Sequence, residues 1–265
     1  MSELEWDGRL DGDDEYCYRP ETTLIVLADT IAKKHGLDPA LVCALCEVES
    51  AWMPWAARYE SGYKWLYIYE FDDEGYPYIN LSAGKRERGQ QYIKFLIQLG
   101  CSGQTEVIHQ KISWGLMQIM GATARERGFR GWLTELCDPQ VNLEWGCKHL
   151  RWMLDHANDY GIEMIGSSPG AFGQHTPPAH TAYQSFDPNL VDLAAAWNGG
   201  KARIERCPIC GGCGQSQKPH RYTISSEFPV VKDTQRTCEY CHGAGSAYKN
   251  QPYVDRVVAA MVNYE

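Results

Sequence analysis

The chain has 265 residues, 44% of them hydrophobic, and a formal net charge of −9 at neutral pH. The apolar content is enough for a packed core and excludes wholesale disorder; the length fits one large domain, or one with a small companion. The acidic balance excludes nucleic acid as the main partner and simple electrostatic attachment to an anionic surface.

Residues 1–20 are acidic and rich in Gly and Asp and read as a frayed arm. The opening Met1–Asp7 lacks the basic and apolar regions of a secretory signal. Pro20-Glu21-Thr22-Thr23 starts a helix with Leu24, Leu27, Ala28 and Ile31 at helical spacing, stopped at His35-Gly36. The apolar run Leu24–Ala28 is far too short to cross a membrane, so no membrane insertion is expected. Asp38-Pro39 caps a second helix that must end before Pro54.

Residues 54–112 read as an elaboration, with a hairpin of Tyr67–Phe71 and Tyr76–Ile79 around Asp72-Asp73-Glu74-Gly75 and a helix from Glu87 to Leu99. A short helix is expected from Gly115 to Arg127, and a long one from Asp138-Pro139 to about Asp159. Val141, Trp145, His149, Leu150, Trp152, Met153 and His156 contribute to the apolar or amphipathic face of the latter. Residues 166–187 read as a loop. Asp187-Pro188 opens a helix closed by Asn198-Gly199-Gly200, and a last helix spans Pro252 to about Tyr264. The class is mainly α with one or two small β elements.

Glu49 sits in the last turn of the second helix, sharing a face with Leu45, Cys46, Trp52 and Met53. The negative end of the helix dipole and apolar neighbours both favour the protonated carboxyl and raise its pKa, as a general acid needs. Position alone favours a merely solvated helix-end residue, since most surface glutamates carry no chemistry. The nine Trp and sixteen Tyr suit either core packing or a groove that stacks sugar rings.

Three segments then align in order: Glu49-Ser50, Gly115-Leu116-Met117-Gln118-Ile119, and Ala195-Ala196-Trp197-Asn198-Gly199-Gly200. With Ile31–Val42, Cys137–Leu143 and Tyr253–Val257, they resemble soluble lytic transglycosylases, the lysozyme-like enzymes of glycoside hydrolase family 23. The resemblance implies that Glu49 protonates the bond between N-acetylmuramic acid and N-acetylglucosamine in peptidoglycan. Glu49 then serves as base while the muramic 6-hydroxyl closes a 1,6-anhydro ring. It further implies substrate contacts from Ser113, Met117, Gln118, Trp197 and Asn198, and a hydrogen bond from Tyr253 close to Glu49. Trp197 stands where the family usually has Tyr, keeping a stacking face without the phenol. The gap between Glu49 and Gly115 is longer than usual; its Trp52, Trp55, Arg58, Tyr59, Glu60, Tyr63 and Trp65 suit an extended sugar-stacking wall. Glu60 is either a second cleft carboxylate or the partner of Arg58 or Lys64 in a surface ion pair. A hydrolysing lysozyme, or a decayed structural protein, is the alternative on the same scaffold.

Five of the eleven cysteines lie between Cys207 and Cys241. Cys207-Pro208-Ile209-Cys210-Gly211-Gly212-Cys213-Gly214 and Cys238-Glu239-Tyr240-Cys241-His242-Gly243-Ala244-Gly245 both fit Cys-x-x-Cys-x-Gly-x-Gly. Two such knuckles supply four thiolates, Cys207, Cys210, Cys238 and Cys241, for one structural zinc; a redox dithiol or an iron–sulfur cluster shares the spacing. Cys213 is a spare thiol. The repeat resembles half of the zinc-binding region of J-domain chaperones. The six scattered cysteines read as small buried hydrophobes.

The expected layout is an arm over 1–20 and a lysozyme-like domain over 21–206 with its insertion 54–112. A zinc-binding insertion over 207–245 and a closing helix in 246–265 follow. A murein enzyme without an export signal suggests a bacteriophage origin, as an endolysin or as a virion component with phage tail or virion proteins as partners.

Overall fold

The structure, a computed structural model, describes residues 22–74, 76–79, 86–162, 187–209, 238–240, 242 and 246–265. The acidic arm, nearly all of the 166–187 loop, and Cys210, Cys213 and Cys241 lie outside the described residues.

Helices dominate. α1 (Thr22–Lys34) and α2 (Pro39–Ser50) are joined at Gly36, whose φ of 65° a side chain would resist. The Asp-Pro starts do what their chemistry requires. Asp38 accepts from the Ala40 and Leu41 amides, Asp138 from Val141 and Asp187 from Asn189, each with proline in the first turn of its helix. α2 is the central rod: Ala40 through Cys46 are buried without a break. Around it pack α1, α6 (Pro139–Asp155), α8 (Pro188–Gly199) and α9 (Gln251–Met261), in one core that includes Cys43, Cys46 and Cys147. Burial pushes the Cys43 and Cys147 thiols up to about 12, so these are inert packing groups.

Three small antiparallel sheets sit at the edges. β1 (Ala57–Tyr59), β4 (Ile112–Trp114) and β5 (Ile119–Met120) form the first, in the order β1-β4-β5. The expected hairpin is the second, β2 (Tyr69–Phe71) and β3 (Pro77–Ile79), with Tyr69 opposite Ile79. β6 (Ile204–Arg206) and β7 (Ser246–Tyr248) are the third.

The sequence reading needs correction between Gly115 and Arg127. Only Gly121–Glu126 is helical (α5); residues 112–120 are instead the β4–β5 hairpin. β-branched Ile112 and Ile119 at the strand positions, and Gly115 at φ 67° in the turn, account for the difference. The long helix also breaks at His156, with α7 (Ala157–Tyr160) continuing it.

Residues 66–107 contribute a second, smaller core. α3 (Arg86–Leu99) and α4 (Gly103–Gln110) enclose Leu66, Tyr69, Tyr92, Leu96, Cys101 and Val107. Against it lies a buried polar network: Arg125 holds both oxygens of Glu106 at 2.8 and 3.0 Å, and Tyr92 and Gln110 complete the carboxylate's partners. Burial alone would raise the Glu106 pKa, but the guanidinium wins and holds it low. No helix among the described residues is long and apolar enough to cross a membrane. The architecture is mainly α with small β hairpins, as the sequence reading expected.

Candidate active site

Glu49 ends α2 at the edge of the core. Ala51 and Trp52 follow in the left-handed region, at φ 50° and 63°, and their amides cap carbonyls of the last turn. The neighbouring Ser50 hydroxyl lies 2.8 Å from the Leu116 carbonyl and 2.9 Å from that of Cys46. The Glu-Ser pair therefore ties the acid-bearing helix end to the Gly115–Gln118 turn.

From the opposite side, Tyr253 of α9 donates its hydroxyl to Glu49 Oε1 at 2.7 Å. The Trp197 indole lies on the same cleft wall and favours the Glu49 carboxylate. Indole nitrogen is a donor only, so Trp197 supplies an N–H where a tyrosine would offer its phenol. Burial pushes the Glu49 pKa up; the Tyr253 hydroxyl, Arg58, Arg256 and the Trp197 N–H pull it back, and burial prevails. The buried Tyr253 hydroxyl is itself pushed far above its ordinary value by burial and by the Glu49 carboxylate.

The Gly115–Gln118 turn is a rigid structural unit. A Cβ on Gly115 would lie 2.3 Å from Asn142 Nδ2 and from the Leu136 carbonyl, so only glycine fits. Fully buried Asn142 of α6 accepts from the Met117 amide at 2.8 Å. It donates to the Trp114 and Leu136 carbonyls at 2.7 and 2.8 Å. Gln118 is held at φ 49°. Its Nε2 donates to the Ala56 and Gly115 carbonyls, and its Oε1 accepts from the Ser113 hydroxyl at 2.8 Å.

These elements enclose a cleft of about 980 Å³. Glu49, Ser113, Gln118, Trp197, Asn198 and Glu60 all line it, together with Arg58, Tyr63, Trp65 and His149. Met117, given a substrate contact by the resemblance, does not: it is 0% exposed, in the main core, with its Sδ where a Cβ on Gly146 would stand. Glu60 resolves its two sequence readings by doing both, lining the cleft while accepting from Arg58 Nε at 2.5 Å. Among the inserted aromatics Tyr63 and Trp65 line the cleft, edge to face with centroids 5.6 Å apart. Trp52 is instead a core residue bonded to the Tyr264 hydroxyl. Trp55 and Tyr59 are exposed and are not among the cleft-lining residues.

Sequence reasoning overlooked Asn142 and His149. An asparagine in an otherwise apolar helix interior was the available signal for the first. Nothing in the local pattern distinguished His149 from its amphipathic neighbours.

The cleft sets a part-buried, charge-disfavoured glutamate against a small β hairpin within a mainly helical frame. In line with this, residues 77–207, just under half of the chain, match the family model described as "Transglycosylase SLT domain". The match supports the lysozyme-like SLT family and, in general terms, glycosidic-bond cleavage of transglycosylase type on peptidoglycan. It includes the Gly115–Gln118 turn, Asn142 and Trp197-Asn198, while Glu49 and Tyr253 fall outside it and join the site through their geometry. No curated protein and no solved structure matches the chain.

Proposed function

We propose that this chain is a peptidoglycan lytic transglycosylase in which Glu49 is both acid and base. Protonated Glu49 gives its proton to the glycosidic oxygen between N-acetylmuramic acid and N-acetylglucosamine as the bond to the anomeric carbon breaks. The substrate's own acetamido oxygen supports the positive charge at that carbon. The muramic 6-hydroxyl then attacks it, returning its proton to Glu49 and leaving a 1,6-anhydro end. The carrying observation is a carboxyl held at raised pKa inside the cleft. Glu60 is the group that favours a hydrolysing lysozyme instead, as a second cleft carboxylate. Its bond to Arg58 occupies the carboxylate, which supports the single-acid route. Mass spectrometry of digested sacculi separates the two: anhydro-muramyl ends are expected, reducing ends overturn the lyase outcome.

Glu49→Gln is expected to slow turbidity clearing of murein by about 10²- to 10⁴-fold, the usual worth of a general acid. Undiminished clearing would sink the assignment. The same variant reports its own folding. A carboxyl whose folded pKa lies above its ordinary 4.5 contributes stability below that pH and loses it as pH rises through the folded value. Glutamine escapes this loss, so the variant should melt no lower than the parent at neutral pH, and the difference should close on acidification.

We further propose that Cys207, Cys210, Cys238 and Cys241 hold one structural zinc. The residues described fit the ion. Cys207 and Cys238 are buried with their sulfurs 3.8 Å apart. That is far beyond the ~2.05 Å of a disulfide, and it matches the ~3.8 Å between two thiolates on a tetrahedral zinc with ~2.3 Å bonds.

A further inference from the structure

The bond between Tyr253 and Glu49 has a neighbour on its far side. One helical turn after Tyr253 on α9 stands Arg256, which is not among the cleft-lining residues. It borders a separate cavity of about 410 Å³, together with Glu47 and Val48 of α2 and Asn263. Its guanidinium carbon lies over the Tyr253 ring, 6.0 Å from the centroid, within the reach of a cation–π contact. Arg256 is exposed, whereas Tyr253 is buried and carries its hydroxyl to Glu49 at 2.7 Å.

The two acids closest to Arg256 in cavity and sequence are engaged elsewhere. Glu47 accepts from the Tyr264 hydroxyl at 2.6 Å. Asp255 accepts from Gln251 at 2.9 Å and bonds His242 at 3.0 Å. The guanidinium is thus left to act on the ring. A cation over a phenol face draws electron density from the oxygen and makes the O–H a stronger donor, and groups bonded in series polarise one another.

We propose that Arg256 is a positioning residue of the site, which from outside the cleft polarises Tyr253 and so strengthens its hydrogen bond to Glu49. This deepens the acid–base role proposed for Glu49 and rests on it. A group that must give a proton and take one back needs an intermediate affinity for it. Burial drives the Glu49 pKa up, and the Tyr253 hydroxyl, Arg58 and Arg256 restrain the rise. Burial and the Glu49 carboxylate drive the Tyr253 hydroxyl up, and Arg256 again pulls the other way. The remaining ionisable groups of the cleft include Arg58 and Glu60, bonded to each other, and Lys201 and Arg203. Burial keeps His149, and Cys46 one turn back on α2, neutral. Among the described residues Arg256 is the cation that lies over the Tyr253 ring.

The test reads Glu49 directly. In the whole chain labelled with carbon-13 at its glutamate carboxyls, the Glu49 resonance is assigned by its loss in Glu49→Gln and then titrated. Arg256→Gln should move its midpoint up by about half a pH unit, the worth of one cation–π contact. Arg256→Lys, which keeps the charge, should move it by less than half as much. With Tyr253→Phe as background, where no hydroxyl remains to be polarised, Arg256→Gln should likewise lose most of its effect. Raising the salt to about 0.5 M should lift the midpoint of the parent and leave that of Arg256→Gln in place, because an exposed charge is screened. The alkaline limb of kcat/KM should follow the midpoint. Melting temperatures should stay within about 2 °C, since the side chain is exposed. A midpoint that stays or falls in Arg256→Gln overturns the proposal, whatever happens to melting. So does an undiminished shift in the Tyr253→Phe background, which would put Arg256 in direct action on the acid. The titration needs no substrate. A shifted midpoint in a chain that leaves murein intact removes only the enzymatic reading, and cleavage with an unmoved midpoint removes only the role of Arg256.

Discussion

Glu49 is tuned by opposing contributions, and Tyr253 is the one most directly removable. Its hydroxyl, 2.7 Å from Oε1, stabilises the carboxylate against the effect of burial. Tyr253→Phe takes away a donor to a charged group, worth about 1.5–3 kcal/mol, so the Glu49 pKa should rise further. On the proposed mechanism the chain is competent while the acid holds its proton, hence the alkaline limb of the kcat/KM profile should move to higher pH. Activity at the optimum should fall by about 10- to 100-fold, because the same bond orients the carboxyl. A limb that moves to lower pH would show that Tyr253 does not act on this carboxylate. Trp197 acts in the same direction from the cleft wall, favouring the carboxylate where the sequence alone showed only the loss of a phenol.

At the level of elements, α6 positions the cleft through Asn142, which fastens the turn between β4 and β5. Asn142→Ala leaves the Met117 amide and the Trp114 and Leu136 carbonyls buried without their partner. At about 1–3 kcal/mol per orphaned group, partly relieved by water entering the space, a net loss of about 3–5 kcal/mol is expected. Denaturant midpoints should fall accordingly, and activity should drop even where the variant is folded, since the Gln118 backbone at φ 49° relies on this support. Wild-type stability in Asn142→Ala would show that the turn holds itself. This is also where the sequence was least legible. Helices with Asp-Pro starts were readable because capping and proline geometry are local. That Glu49, Gln118 and Asn198 line one cleft was readable because their motifs are short and ordered. The β4–β5 hairpin was missed because its strands are two or three residues long and their partners lie far off in sequence, Ala57 opposite Trp114. Met117 was placed in the cleft and lies in the core because sequence order cannot say which side of a turn a side chain takes. Trp52 went astray likewise: its left-handed backbone turns it inward onto Tyr264.

Across the whole molecule, the cysteine segment and the acid are mechanically joined through α9. β6 pairs with β7, and Cys207 and Cys238 share a small cluster with Ala247 of β7. His242, one residue past Cys241, bonds Asp255 at 3.0 Å, and Asp255 also accepts from Gln251. Tyr248 donates its hydroxyl to Asp192 of α8. The helix so held carries Tyr253, two residues before Asp255, against Glu49. A zinc at the four thiolates would close the chain between Cys207 and Cys238 and fix the entry into α9, adding the metal's binding energy to folding. Purified protein should contain one zinc per chain by plasma emission. Removing it with a strong chelator should lower the melting temperature by several degrees, since each kcal/mol lost is worth about 2–4 °C at this size. Cys207→Ser should bind less zinc and melt lower without chelator, and readdition of zinc should restore only the unmutated chain. Because Tyr253 is held from the same helix, metal-free protein should also show a lower kcat with its product unchanged as an anhydro sugar. Protein that is free of metal as isolated, yet melts and cleaves as well as zinc-loaded material, would leave the knuckles without a structural role and detach them from the active site.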